Sequence, residues 1–190
     1  MAVRLPQRSG GIYFITFTCY RWKPLFQLTN TYASVYKWFD HLYEKEASLL
    51  GYVIMPNHLH VLLCLPPHLK SVNTIVGNAK RFMAYAIIKQ LEQDKEDALL
   101  QELYDAVKQR ERKKGQRHKV FEDSFDAKEC FNPEFIEQKL AYIHHNPVKG
   151  KWRLAEDFTL YPHSSAGVYF GTGVSAYKRV VRAEEIQWPG

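Results

Sequence analysis

The chain contains no apolar run approaching the roughly 20 residues that a membrane-spanning helix needs. Its opening residues, Met-Ala-Val-Arg-Leu-Pro, have no apolar centre of the kind that marks a secretion signal. These two absences point to a cytoplasmic protein without a membrane partner. Cysteine is scarce as well: Cys19, Cys64 and Cys130 are far apart and form no Cys-x-x-Cys pair. Neither a disulfide framework nor a structural zinc knuckle is suggested, and the three are read as reduced thiols. There is no internal repeat, and no acidic excess. Lys and Arg number 26 against 20 Asp and Glu, for a net charge of +6. A pI near 9.1 makes polyanions natural partners, although many functions share such a balance.

What is present suffices for a packed core, since 46% of the 190 residues are hydrophobic and 14% aromatic. One domain is expected over residues 1–150, with a basic charged insert at about 93–119. Residues 151–190 form a C-terminal extension packed on that domain or trailing from it. Ile12 to Tyr20 alternate in character and are rich in β-branched and aromatic types, which predicts a first strand. From Thr31 to Glu46 apolar residues recur at helical spacing. Leu49–Met55 and His58–Leu65 are apolar runs separated by Pro56-Asn57, the pattern of an antiparallel hairpin. Val72 to Leu91 reads as a long amphipathic helix, and Val120–Phe125 as a fourth strand. The order strand, helix, strand, strand, helix, strand is that of a ferredoxin-like α+β fold (βαββαβ), with an antiparallel sheet and helices on one face.

An additional helix is expected after Asn132-Pro133-Glu134, where Asn caps, Pro suits the first helical position and Glu complements the helix dipole. Pro147 ends it near Asn146.

Two groups of residues carry chemistry. In a strand, side chains two apart share a face, so His58 and His60 point the same way and form half of a metal site. On the last helix Tyr142 and Asn146 lie one turn apart on one side. If that helix covers the histidine face, Asn146 can offer a carbonyl oxygen to the metal and Tyr142 a phenol beside it. Each has an ordinary reading too. A lone His-x-His is more often a hydrogen-bonded or exposed pair, and a helical tyrosine is more often a packing residue.

The run Gly51-Tyr-Val-Ile-Met-Pro-Asn-His-Leu-His-Val-Leu-Leu63, taken with Tyr142-Ile-His-His-Asn-Pro-Val148, resembles the HUH single-tyrosine transposases, specifically the REP-associated tyrosine transposase branch. The likeness runs from Tyr13 to about Val148, with a looser echo at Tyr161-Pro-His-Ser-Ser165. It implies that His58, His60 and Asn146 bind a divalent metal, Mg2+ or Mn2+, with Zn2+ left open. Tyr142 is then the nucleophile of the catalytic helix. It also implies metal-dependent cleavage and rejoining of single-stranded, hairpin-bearing DNA through a 5′-phosphotyrosine intermediate, by a monomer or a homodimer. Two alternatives stay open: a hairpin-binding protein that does not cut, and a metal-dependent phosphodiesterase that uses water.

Candidate DNA contacts are Lys80 and Arg81 on the long helix, Arg110, Arg112, Lys113, Lys114, Arg117 and Lys119 in the basic stretch, and His144 and His145 beside the tyrosine. A solvated helix side or loop is the plain alternative for the basic residues. Thr16 and Thr18 are expected near the histidines. Among Trp22, Trp38, Trp152 and Trp188, all candidates for stacking on bases, Trp38 fits packing of the first helix.

Overall fold

The computed structural model describes residues 10–69 and 71–186. Four antiparallel strands, β1 (Gly11–Thr18), β2 (Ser48–Met55), β3 (His58–Leu65) and β4 (Asp126–Glu129), form a sheet in the order β2-β3-β1-β4. The short helix α1 (Leu25–Leu28) and α2 (Tyr32–Tyr43) connect β1 to β2. Helix α3 (Val72–Gln93), then α4 (Asp97–Asp105) and α5 (Gln109–Arg112), connect β3 to β4. This is the expected α+β arrangement. Among the described residues no helix is long and apolar enough to cross a membrane, and Trp188 lies outside them.

The period of two along β1 and β3 divides the core. Ile15, Phe17, Leu59, Val61 and Leu63 face one side, where Trp38 and Phe39 of α2 and Val76, Met83 and Ile87 of α3 cover them. Phe14, Val53 and Leu62 face the other side and pack under α6 (Pro133–His145), through Ile136, Leu140 and Ile143. Helix α6 starts where its sequence signals place it. The Asn132 Oδ1 accepts the Phe135 amide at 2.8 Å, with Pro133 in the first turn. After His145 the chain tightens into a 3-10 turn, Asn146–Val148, because Pro147 cannot donate an amide.

The fourth strand is displaced from its expected position. Val120–Phe125 does not form it; Phe121 makes only an isolated bridge to Cys19, and β1 pairs instead with Asp126–Glu129. Phe121 is drawn inward against Phe17 and Phe26, at ring separations of 5.5 and 6.0 Å, which bends the segment before pairing resumes. The real β4 is a polar edge strand, and its sequence carries no hydrophobic alternation to reveal it.

The segment after Pro147 is ordered by the free edge of β2. The Ile54 amide donates to the His163 carbonyl at 2.8 Å, the Ser165 amide to Tyr52 O at 2.9 Å and the Val181 amide to Leu49 O at 2.9 Å. The buried Ser165 hydroxyl also accepts the Tyr52 amide at 3.0 Å and lies 3.0 Å from His144 Nε2, tying α6 to the sheet edge. His144 is therefore buried against Tyr169 and does not face solvent, contrary to the DNA contact expected of it. Burial, reinforced by His145, pushes its imidazole down to about 4.

Gly51 sits at a bulge of β2 beneath α6, and a Cβ there would stand 2.5 Å from Leu140 Cδ2. Gly51→Ala should destabilise the protein by about 1–3 kcal/mol through overpacking. Urea denaturation should show that penalty largely absent in a Leu140→Ala background, where the methyl has room.

His144 makes stability acid-sensitive. Its folded pKa of about 4 lies below the ordinary 6.5, so between those values the unfolded chain takes up a proton that the folded chain refuses. The contribution is complete above about pH 6.5 and declines toward pH 4, by on the order of 3 kcal/mol. Denaturation midpoints at pH 7 and pH 4.5 should therefore diverge less in His144→Gln than in the wild type.

Candidate functional site

Strand β3 begins directly after the two-residue turn Pro56-Asn57, so His58 and His60 emerge at the end of the sheet on the side that α6 covers. Their rings lie 4.7 Å apart at 79°. Each is held at Nδ1. The His58 Nδ1 donates to the Asn57 Oδ1 at 2.7 Å, and the His60 Nδ1 bonds the Thr16 hydroxyl at 2.6 Å. Thr16 reaches His60 because β1 and β3 pair in the register Thr16↔His60. An amide oxygen can only accept, which fixes the proton of His58 on Nδ1 and leaves Nε2 with its lone pair; Thr16 permits the same tautomer at His60.

Both histidines are buried, at 7% and 4% exposure, and His60 Nε2 has no hydrogen-bond partner. A buried nitrogen left unsatisfied is costly unless a ligand takes it. Burial lowers the His58 imidazole to about 4, and burial followed by the charges of His58 and Lys139 lowers His60 to about 3. Neutral imidazoles with second nitrogens oriented by an amide and a hydroxyl are the form in which histidine ligates a metal.

Helix α6 brings the other two residues to this place. His58, His60, Tyr142 and Asn146 line one cavity of about 350 Å³, together with Thr16 and Trp22. The Tyr142 ring stands edge-on to His60, with centroids 5.1 Å apart, and the residue is 48% exposed. Among the described residues no three His, Cys, Asp or Glu converge. A metal here would therefore take two imidazoles, the Asn146 amide oxygen and open positions, a donor set that suits a hard or borderline divalent cation.

The expected basic residues divide into three groups. Lys80 is turned inward and donates to the Glu122 carbonyl; burial pushes its ammonium down to about 8, against the opposing pull of Asp123 and Glu122. Lys119 is buried and pairs with Asp123 at 2.9 Å. Arg112 donates to the Tyr104 carbonyl at 2.7 Å and lies over the Tyr104 ring. These three hold α3, α4 and the following segment together. Arg81, Lys114 and Arg117 are exposed and, with Lys80, Lys89 and Tyr85, line a groove of about 970 Å³ between α3 and residues 114–123, where Glu92, Glu111, Glu122 and Asp123 also stand. Arg110 and Lys113 are exposed but do not line it. His145 lines neither the groove nor the cavity; its Nδ1 contacts the Ala141 carbonyl at 2.9 Å and its ring packs on Phe158.

Three residues near the site had no prominence in the sequence. Asn57 holds His58 and also donates from Nδ2 to the Trp22 carbonyl at 3.0 Å. Lys139 places its ammonium over Phe14, at 5.0 Å, beside His60. Lys149 lines the cavity from beyond the 3-10 turn. The readable signals were that Asn57 adjoins the histidine pair and that Lys139 precedes Tyr142 by three, one helical turn.

No family model and no curated protein sequence matches the chain. Among solved structures, a REP-associated tyrosine transposase bound to a REP hairpin superposes with a TM-score of 0.64 and 15% identity, covering 98% of this chain and 95% of that one. A second, a transposase from Deinococcus radiodurans R1, reaches a TM-score of 0.36 at 12% identity over 75% of this chain and 95% of that one, too distant to carry an argument. With its 2-3-1-4 antiparallel sheet and α6 laid across the histidine face, the chain has the fold of a REP-associated tyrosine transposase.

Proposed function

We propose that this protein is a transposase that cuts and rejoins single-stranded, hairpin-bearing DNA through a covalent bond to Tyr142. The observation that carries the reading is the unpartnered His60 Nε2, buried in the same cavity that holds Tyr142 and Asn146. The fold likeness to a transposase solved with a REP hairpin supports DNA as the substrate.

In this reading His58, His60 and Asn146 hold a divalent cation, Mg2+ or Mn2+, with Mn2+ the better match to two imidazoles. That ion supplies Lewis acidity, offsetting charge that develops on the scissile phosphate. Everything else is done by the chain. Burial keeps the imidazoles neutral, and Thr16 and Asn57 aim them. A phenol, with an ordinary pKa near ~10, attacks well only once deprotonated, so the step needs a base or a positive field at the scissile phosphate. The Tyr142 Oη–P bond forms as the P–O3′ bond breaks; the phenol's proton leaves to solvent and the departing 3′ oxygen takes one up. The ester formed retains much of the energy of the one broken, so a 3′-hydroxyl can reverse the step without ATP. Arg81, Lys89, Lys114 and Arg117 offer cations to the phosphates of the duplex stem in the groove beside α3.

A labelled hairpin oligonucleotide with a single-stranded flank should form a covalent protein adduct that resists denaturation and requires Mg2+ or Mn2+. Tyr142→Phe should reduce the adduct by at least about 1,000-fold while still binding the hairpin. An undiminished adduct in that variant overturns the choice of nucleophile. Hairpin binding without any adduct from the wild type, under either metal, would instead favour a binding protein that does not cut. Phosphodiester turnover by Tyr142→Phe would favour attack by water. Independently of activity, Mn2+ should raise the melting temperature of the wild type but not of His60→Ala.

A further inference from the structure

The chain turns sharply after β1, and this turn projects Trp22 over the mouth of the histidine cavity. Its side chain is 60% exposed, an unusual state for a tryptophan, yet it lines the cavity and stands edge-on to His58 with ring centroids 5.8 Å apart. The backbone beneath it is strained. Arg21 and Trp22 both have left-handed φ, 49° and 57°, a conformation unfavourable for residues other than glycine.

The strain is held by a dense set of bonds. The Trp22 amide donates to Cys19 O at 3.0 Å and the Trp22 carbonyl accepts from Asn57 Nδ2 at 3.0 Å. The Arg21 amide donates to Glu122 Oε1 at 2.8 Å, and Lys23 pairs with Glu102 at 2.8 Å. Asn57 thus fixes both the indole's backbone and the His58 ring, so the two move as a unit. Glu122 also lines the groove beside α3, so the Tyr20–Trp22 turn touches both groove and cavity. Lys149 and Lys151 are exposed residues that line the same cavity, with the Lys151 ammonium 5.2 Å from the Trp152 ring centroid.

We infer that Trp22 is a base-stacking platform that positions the single-stranded nucleotide flanking the scissile phosphate, while Lys149 and Lys151 take the adjacent phosphates. An exposed aromatic face between cations is how single strands are held with tolerance for sequence. A rigid platform, tied to the histidine that shares its support, sets the distance from the stacked base to Tyr142. This rests on the proposed DNA-cleaving function and extends it to a residue outside the histidine, tyrosine and asparagine set.

The test is binding without metal, in EDTA at low salt, read by fluorescence anisotropy. The probes are an oligothymidine of about 20 nucleotides and an abasic chain of the same length, which keeps the phosphates and lacks the bases. The wild type should prefer the oligothymidine by about ten-fold. Trp22→Ala should lose most of that preference while its affinity for the abasic chain stays unchanged, and Trp22→Phe should keep the larger part of it. Thermal melting should show all three folded, because the side chain lies outside the core. An unchanged preference in Trp22→Ala overturns the inference, as does a wild type that binds both probes equally. If those results come with a normal Tyr142-dependent hairpin adduct, the cleavage function stands and only the platform falls. Failure of the wild type to bind either probe or to form the adduct overturns both.

Discussion

The close approach of α6 to the sheet at Gly51 is the contact on which the candidate site depends. A hydrogen in place of a side chain lets Leu140 descend onto β2, and the same helix then carries Tyr142 and Asn146 two residues and six residues further along to the end of the sheet where His58 and His60 emerge. Ile136 and Ile143 extend that apolar seam, and the Ser165 hydroxyl adds a polar tie through His144. The precision of the tyrosine relative to the histidines is therefore a packing property of the sheet face, produced some distance from the chemistry.

The basic residues show how charge can serve two purposes in one stretch of chain. Lys80, Arg112 and Lys119 are consumed by backbone carbonyls and by Asp123, joining α3 to the insert and the segment that leads into β4. Lys114 and Arg117 line the groove, as does Arg81, whose guanidinium lies over the Phe82 ring. A cation becomes available to a phosphate only where no internal partner already holds it, and partners come from chain segments far away in sequence.

Much of the architecture could be read from local chemistry. Alternation in β1 and β3 revealed the strands and their faces, Pro56-Asn57 the hairpin, and Asn132-Pro133 with Pro147 the limits of α6. Reading failed where order comes from distant partners. Asp126–Glu129 pairs as an edge strand with no apolar signature, and Val120–Phe121 resembles a strand because it is core-bound. The tail has no periodicity because its conformation is imposed by the unpaired edge of β2, through His163, Ser165 and Val181.

The sequence by itself determined that two imidazoles share a strand face and that a phenol and an amide share a helix face, since both follow from backbone periods of 2.0 and 3.6 residues. Only the tertiary structure decided that these faces meet, that Asn57 leaves the His58 Nε2 lone pair free while Thr16 permits the same at His60, and that Trp22 lines the cavity while His144 is turned inward. The physical reason is that a period fixes direction within one element. Distance between elements is set by side-chain volume and by hydrogen bonds across the sheet, and these involve residues as much as 113 positions apart in the case of Tyr52 and Ser165.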